Sequence, residues 1–166
     1  YDVLHDLINK TELSEKNYGI IHFDSPDERG IDVALLYKKG WFDPQNITAH
    51  TVDLNDPEHP DGTTRDILAI TGKMKKGGEL TVVLNHWPSR RGGAEQTEFK
   101  RAAAAKVAKG IVEDRLAKNK EAKVLLMGDF NDEPSNNSIL QVLGGAGTVE
   151  AAQATGLYNP MFSLKA

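Results

Sequence analysis

The chain of 166 residues contains no cysteine. That excludes disulfides and thiolate metal sites, and it leaves the redox compartment open, because secreted proteins can also lack cysteine. No apolar run approaches the roughly 20 residues that a helix needs to span a bilayer. Nor is there an excess of positive charge. The formal net charge is −4 and the pI is about 5.7, which argues against tight, charge-driven binding to bulk nucleic acid but leaves room for a local basic groove. There is no internal repeat, low-complexity tract or linker. The first residue is Tyr1, and YDVLHDLI lacks the basic and then apolar segments of a signal peptide. We therefore expect a single, partial domain over residues 1–166 that is cut at both ends. A soluble molecule fits a composition of 39% hydrophobic and 27% charged residues; a processed secreted or periplasmic protein fits the missing start.

What is present is alternation and amphipathic pattern. Val3, Leu4, Leu7 and Ile8 share one face of a short helix. Strands are expected over Tyr18–Phe23, Ile31–Tyr37 (buried) and Ile47–Leu54, with loops over Asp24–Arg29 and Asn55–Thr64. Ile67–Lys73 and Glu79–Asn85 flank a Gly-Gly turn and predict a hairpin. Leu80, Val82 and Leu84 share a face that His86 continues past the strand end. Ala94–Lys118 predicts a long helix whose apolar stripe is Phe99, Ala103, Val107, Ile111, Val112 and Leu116. Its Lys100, Arg101, Lys106, Lys109, Arg115 and Lys118 read as a solvated outer face, with a DNA-binding face as the alternative. The acids of loops 24–29 and 55–61 likewise read as solvated surface. His5, His22, His50 and His59 show no ligand spacing. Val124–Met127 is a short strand, Pro134 opens a helix to about Leu143, and the tail from Gly144 to Gly156 is weakly patterned. Antiparallel strands with a helical crossover make a mixed α/β or α+β layered domain.

Two segments could carry chemistry. In VLLMGDFNDEPS an apolar strand ends in acids and an amide. Alternation sets Asp129 and Asn131 on one side and turns Phe130 back to the core. An acid and an amide together can hold a water or a hard cation, and ligands of open α/β sheets sit beyond the carboxyl ends of strands. The same residues also suit a plain turn and helix cap. In LNHWPSR, His86 also ends a strand. It can donate to a phosphate oxygen or move a proton near neutral pH, or it can be an ordinary satisfied polar residue. A helical crossover would make the two strands parallel neighbours, so that their carboxyl ends meet at one rim.

NHWPSRRGG, a helix, and then LLMGDFNDEPS resemble the endonuclease/exonuclease/phosphatase family of metal-dependent phosphoesterases. SPDERGIDVALLY and TTRDILAI resemble the preceding strands of bacterial members, and the likeness covers about Tyr18–Ser138. It implies a four-layered α/β sandwich, incomplete here at both ends. By resemblance, Asp129 matches the acid that orients or deprotonates the attacking water. Asn131 matches the amide that helps to hold metal and phosphate, and His86 the phosphate-contacting residue. Arg65 matches a basic residue that can face the phosphate. Asp32, Trp87 and Arg90 are lesser candidates: Arg90 for phosphate, Asp32 equally for a structural hydrogen bond and Trp87 for packing.

Catalytic residues are thus expected at His86, Asp129 and Asn131, and metal ligands at Asp129 and Asn131. Carboxylates favour hard ions, so Mg²⁺ is expected, with Mn²⁺ or Ca²⁺ as alternatives. The partner is a phosphate ester, with nucleic acid, sugar phosphates and phospholipids all open. The family's early Asn, its main metal-ligating Glu and its terminal Asp-His pair have no counterpart here; the last Asp is Asp132 and the last His is His86. The expectation is therefore hydrolysis of a phosphodiester or phosphomonoester by an activated water, with this chain alone inactive or nearly so. A non-catalytic binding module that keeps the fold is the alternative.

Overall fold

The computed structural model describes residues 1–54 and 62–164. The loop reading over Asn55–Thr64, the acids of loop 55–61 and His59 therefore fall wholly or largely outside the described residues. Helix α1 (Asp2–Asn9) forms where expected but buries none of its side chains. Strands β1 (Tyr18–His22) and β2 (Ala34–Lys38) pair antiparallel as a two-stranded sheet. A second sheet follows the order β3-β4-β5-β6, built from β3 (Phe42–His50), β4 (Ile67–Met74), β5 (Gly78–His86) and β6 (Lys123–Asp129). The pairs β3–β4 and β4–β5 are antiparallel, whereas β5 and β6 run parallel. Between those two lies α2 (Glu98–Lys118). A parallel pair needs such a crossover, because a tight turn can only reverse the chain.

The central strands are apolar on both faces, and this decides the layering. Leu68, Ile70, Val82 and Leu84 meet Ile21 and Phe42 on one face, with Leu35 and Tyr37 packed against them. Ile67, Ala69, Val83 and Trp87 meet α2 through Ala104, Ala105, Ala108 and Ile111 on the other. The β1–β2 sheet and α2 therefore cover opposite sides of the central sheet, in the mixed α/β class expected from the pattern. Thr71 and Thr81 lie side by side within β4 and β5, and their hydroxyls satisfy each other at 2.8 Å.

Several boundaries differ from the sequence reading. Strand β2 starts only at Ala34, and its residues are half-buried rather than buried. Asp32 just before it accepts from the Ser25 amide and pairs with His22 Nε2, which pins that segment outside the ladder. Strand β3 spans 42–50 rather than 47–54; Val52 and Leu54 are buried without being in a strand. Pro44 sits in β3 beside a bulge, which an edge strand tolerates. Helix α2 begins at Glu98, after turns over 94–97. Its buried face holds Arg101 and small alanines, while Phe99 is 41% exposed. Periodicity weights large apolar residues, but a helix lying close on a sheet needs small ones there. After β6 the chain makes turns and then a wide helical turn over Ser138–Leu143. The weakly patterned tail holds α3 (Val149–Thr155), capped at Thr148 by a hydroxyl accepting from the Ala151 amide and ended by left-handed Gly156. Short strands β7 (Gly145–Ala146) and β8 (Leu157–Tyr158) flank it. No helix among the described residues is long and apolar enough to cross a membrane.

Candidate active site

The parallel pairing of β5 and β6 sets His86 directly opposite Asp129, and the Trp87 amide donates to the Asp129 carbonyl at 2.9 Å. Both strands end at one rim, as a helical crossover requires. The close approach depends on Gly128. A Cβ there would stand 1.9 Å from the Asn85 carbonyl oxygen, and its φ of +131° suits glycine alone. Beneath the rim, buried Asn85 accepts from the Trp87 indole at 2.9 Å, and Phe130 packs edge-on against that indole with ring centroids 4.8 Å apart. Trp87 is thus a packing residue, and Phe130 turns inward as alternation requires.

Asn131 reaches its place by a route that alternation does not describe. Its φ is +51°, a left-handed conformation that Asn tolerates better than most residues. Its amide donates to Asp129 Oδ1 at 2.9 Å, and its Nδ2 donates to the Trp87 carbonyl at 2.9 Å. Asp129 is exposed, while Asn131 and His86 are half-buried. The His86 imidazole is pushed below its ordinary pKa of 6.5, first by burial and then by Arg65, with Asp129 opposing the shift. A neutral ring is the result at pH 7, with one nitrogen donating and one accepting.

Arg65 is buried and its guanidinium is committed within the protein. It donates to the His86 carbonyl at 3.0 Å, the Trp87 carbonyl at 2.6 Å and Asp27 Oδ2 at 3.0 Å. Arg90 is committed to the GDFND loop through the Asn131 carbonyl and Asp132 Oδ1, at 3.0 and 3.1 Å, and also donates to Asn136. Asp32 makes the structural bonds described above. It also lies with His22 and Asp24 in the one group of three metal-ligating side chains found among the described residues, which sequence spacing did not reveal.

Three supporting residues escaped the sequence reading. Asp27, taken as solvated, is buried and receives Arg29 and Arg65. Burial alone would push its carboxyl up, but hydrogen bonds from Arg29 and Arg65 outweigh that and bring its pKa down to about 2. Arg101, taken as part of a solvated face, is 1% exposed. It pairs with Asp132 at 2.8 Å and donates to the carbonyls of Ser89 and Ala94. Buried Asp132 accepts as well from Arg90 and from the Ser138 hydroxyl. The Arg101–Asp132 pair thus ties the loop after β5 to the loop after β6. No local signal marks these residues, because each is buried by a segment distant in sequence.

This layered fold is shared with several solved structures. The human Nocturnin catalytic domain, with bound sulfate, is 20% identical with a TM-score of 0.62, over 84% of this chain and 50% of that one. Truncated TDP2 from Caenorhabditis elegans is 20% identical with a TM-score of 0.61, over 86% and 49%. A mannosyl-6-phosphatase from Bacteroides thetaiotaomicron is 18% identical with a TM-score of 0.53, over 85% and 52%. The chain spans about half the length of these structures. No curated protein matches it. The model of the Endonuclease/Exonuclease/phosphatase family matches residues 1–166, and the chain belongs to that family.

Proposed function

We propose that this chain carries part of the active site of a metal-dependent phosphoesterase, which cleaves a phosphodiester or phosphomonoester by in-line attack of water. The observation that supports this best is the rim where His86 faces Asp129 across a parallel strand pair, with Asn131 held beside them on the Trp87 carbonyl. Family membership and the phosphatase named among the fold relatives agree with it.

The donor set suits a hard divalent ion. Asp129 is exposed with Oδ2 unengaged among the described residues, and the Asn131 Oδ1 is likewise left over once its Nδ2 has bonded Trp87. These two oxygens would hold Mg²⁺, or Mn²⁺ or Ca²⁺, which would neutralise charge developing on the phosphoryl oxygens. Asp129 accepts a proton from the attacking water as its oxygen bonds phosphorus and the ester P–O bond breaks. The neutral His86 ring donates one N–H to a phosphate oxygen, and the second N–H of Asn131 Nδ2 is available for another. Arg65 supports the phosphate from behind, by its charge and by fixing the His86 and Trp87 carbonyls. Arg90 supports it by holding the Asn131 backbone. Because Mg²⁺ favours six oxygens and two come from these side chains, we further propose that these residues alone turn over slowly or not at all.

A panel of phosphomonoesters and phosphodiesters with Mg²⁺, given to the full-length protein and its Asp129→Ala variant, tests the reading. Turnover should fall by about 100-fold or more in the variant while thermal unfolding stays in place. Full activity in the variant would remove Asp129 from the chemistry. Phosphate binding without turnover of any substrate would favour a binding module.

A further inference from the structure

The end of the molecule opposite the rim carries unbalanced positive charge. The nine residues of β5 span roughly 25–30 Å from Gly78 to the His86 rim. Around the start of that strand three chain segments meet. The Lys75 amide donates to the Trp41 carbonyl at 2.8 Å, which joins the β4–β5 hairpin to the turn between β2 and β3. Lys123, at the start of β6, donates through Nζ to the Gly77 carbonyl at 2.6 Å. Lys38, Lys39, Lys75, Lys76 and Lys123 are thus gathered at this end, and all are exposed. None of them has an ion pair among the described residues. The nearby acids are engaged or outnumbered. Glu79 pairs with Arg115, Asp43 stands opposite Lys73 in the ladder, and Glu121 lies between Lys120 and Lys123. The cations of the rim, by contrast, are matched: Arg65 meets Asp27, and Arg90 and Arg101 meet Asp132.

Among these lysines stands Trp41. It is 51% exposed, and Lys75 Nζ lies 5.3 Å from its ring centroid. Tryptophan has an apolar body and a polar N–H, which suits the boundary between headgroups and acyl chains. Each lysine held near an anionic bilayer strengthens binding about fivefold. We propose that this end docks the protein reversibly on a membrane surface rich in anionic phospholipid, with Trp41 entering the headgroup layer. The residue types favour a bilayer over nucleic acid. The gathered cations are all lysines, point charges that answer to surface potential, whereas the planar guanidinium of arginine is the preferred reader of nucleic-acid phosphates. One exposed indole also offers a stacking platform to a single base only. Docking at this end turns the His86–Asp129 rim away from the bilayer, so the lipid that holds the protein is not its substrate. The proposal stands on the charge and exposure of this surface and is independent of the hydrolase reading.

The probes are vesicles of phosphatidylcholine alone and vesicles that also hold about 30% phosphatidylserine. In co-sedimentation with the full-length protein, the anionic vesicles should bind it and the neutral ones should not, and binding should weaken as salt is raised. Tryptophan emission should move to shorter wavelength on binding. Trp87 is 1% exposed and has no water to lose, so Trp41→Phe should remove that shift. Lys75→Gln with Lys76→Gln should weaken binding about tenfold or more. Lys106→Gln with Lys109→Gln removes the same charge from α2 and should leave binding within about twofold, because charges far from the contact are screened. Equal losses in the two double variants, equal binding to both kinds of vesicle, or no binding at all would overturn the proposal. A single-stranded oligonucleotide that binds more tightly than the vesicles, and is lost with Lys75 and Lys76, would put nucleic acid in place of the bilayer. Hydrolysis of a water-soluble substrate should be unchanged in the Lys75 and Lys76 double variant, and Asp129→Ala should dock as the parent does. Failure of docking and failure of the chemistry are thereby read apart.

Discussion

Asp129 and Asp132 belong to one turn and have opposite surroundings. Asp129 stands exposed at the rim, whereas the Asp132 side chain is 2% exposed and meets two guanidinium groups. Removing Asp132 leaves Arg101 charged and unpaired in the interior, so Asp132→Ala should cost about 3–5 kcal/mol of stability. Asp129→Ala should cost less than about 0.5 kcal/mol. Urea unfolding of the two variants compares them directly; equal losses would mean that Asp129 is structural. The titrating groups give a second expectation. Asp27 has a folded pKa of about 2 against 3.8 for the free side chain. Its contribution, about 2 kcal/mol, is present above that free value and is lost as pH falls from there toward 2. His86 goes the other way in charge. Its folded pKa is depressed from 6.5, so the unfolded chain takes the proton more readily and stability rises with pH through the window just below that value. Ring resonances in a pH titration should show the His86 midpoint below 6.5; a midpoint above it would mean that the carboxylate outweighs burial and Arg65.

At the scale of elements, α2 holds the site together because it lies close. Its alanines let it sit on the sheet, and this closeness puts Arg101 within reach of the loops after β5 and β6. Ala105 is fully buried and Phe99 is 41% exposed. Ala105→Leu should therefore destabilise by about 1–3 kcal/mol through overpacking, and Phe99→Ser should change stability by less than about 0.5 kcal/mol. The sequence pattern implies the reverse ranking, so thermal unfolding of these two variants decides which face is inward. The existence of α2, the hairpin of β4 and β5 and the strand β6 was legible, since each carries its own periodicity. The start of β2 and the span of β3 were not, because Asp32 bonds back across a loop to His22 and Ser25 and the bulge at Pro44 is made against β4.

For the whole molecule, the decisive feature is one sheet covered on both sides, whose parallel pair opens at one rim. Such a rim places side chains but does not complete a metal's coordination by itself. The residues 1–166 expressed alone should bind Mg²⁺ weakly and hydrolyse a phosphodiester far more slowly than a complete homologue, as followed by product release at saturating metal. Comparable rates would show that His86, Asp129 and Asn131 suffice.

The order of apolar and polar residues by itself determined the mixed α/β class, the helical crossover and the presence of His86, Asp129 and Asn131 at strand ends. Those are consequences of local periodicity and of the rule that parallel neighbours need a crossover. Tertiary structure alone decided that Asn131 turns left-handed onto the Trp87 carbonyl, that Arg65 is spent on Asp27 and two carbonyls, and that Arg101 is buried against Asp132. The physical reason is common to all three. A side chain's charge and hydrogen-bonding capacity are spent on whatever the fold brings near it, and those neighbours lie far away along the chain.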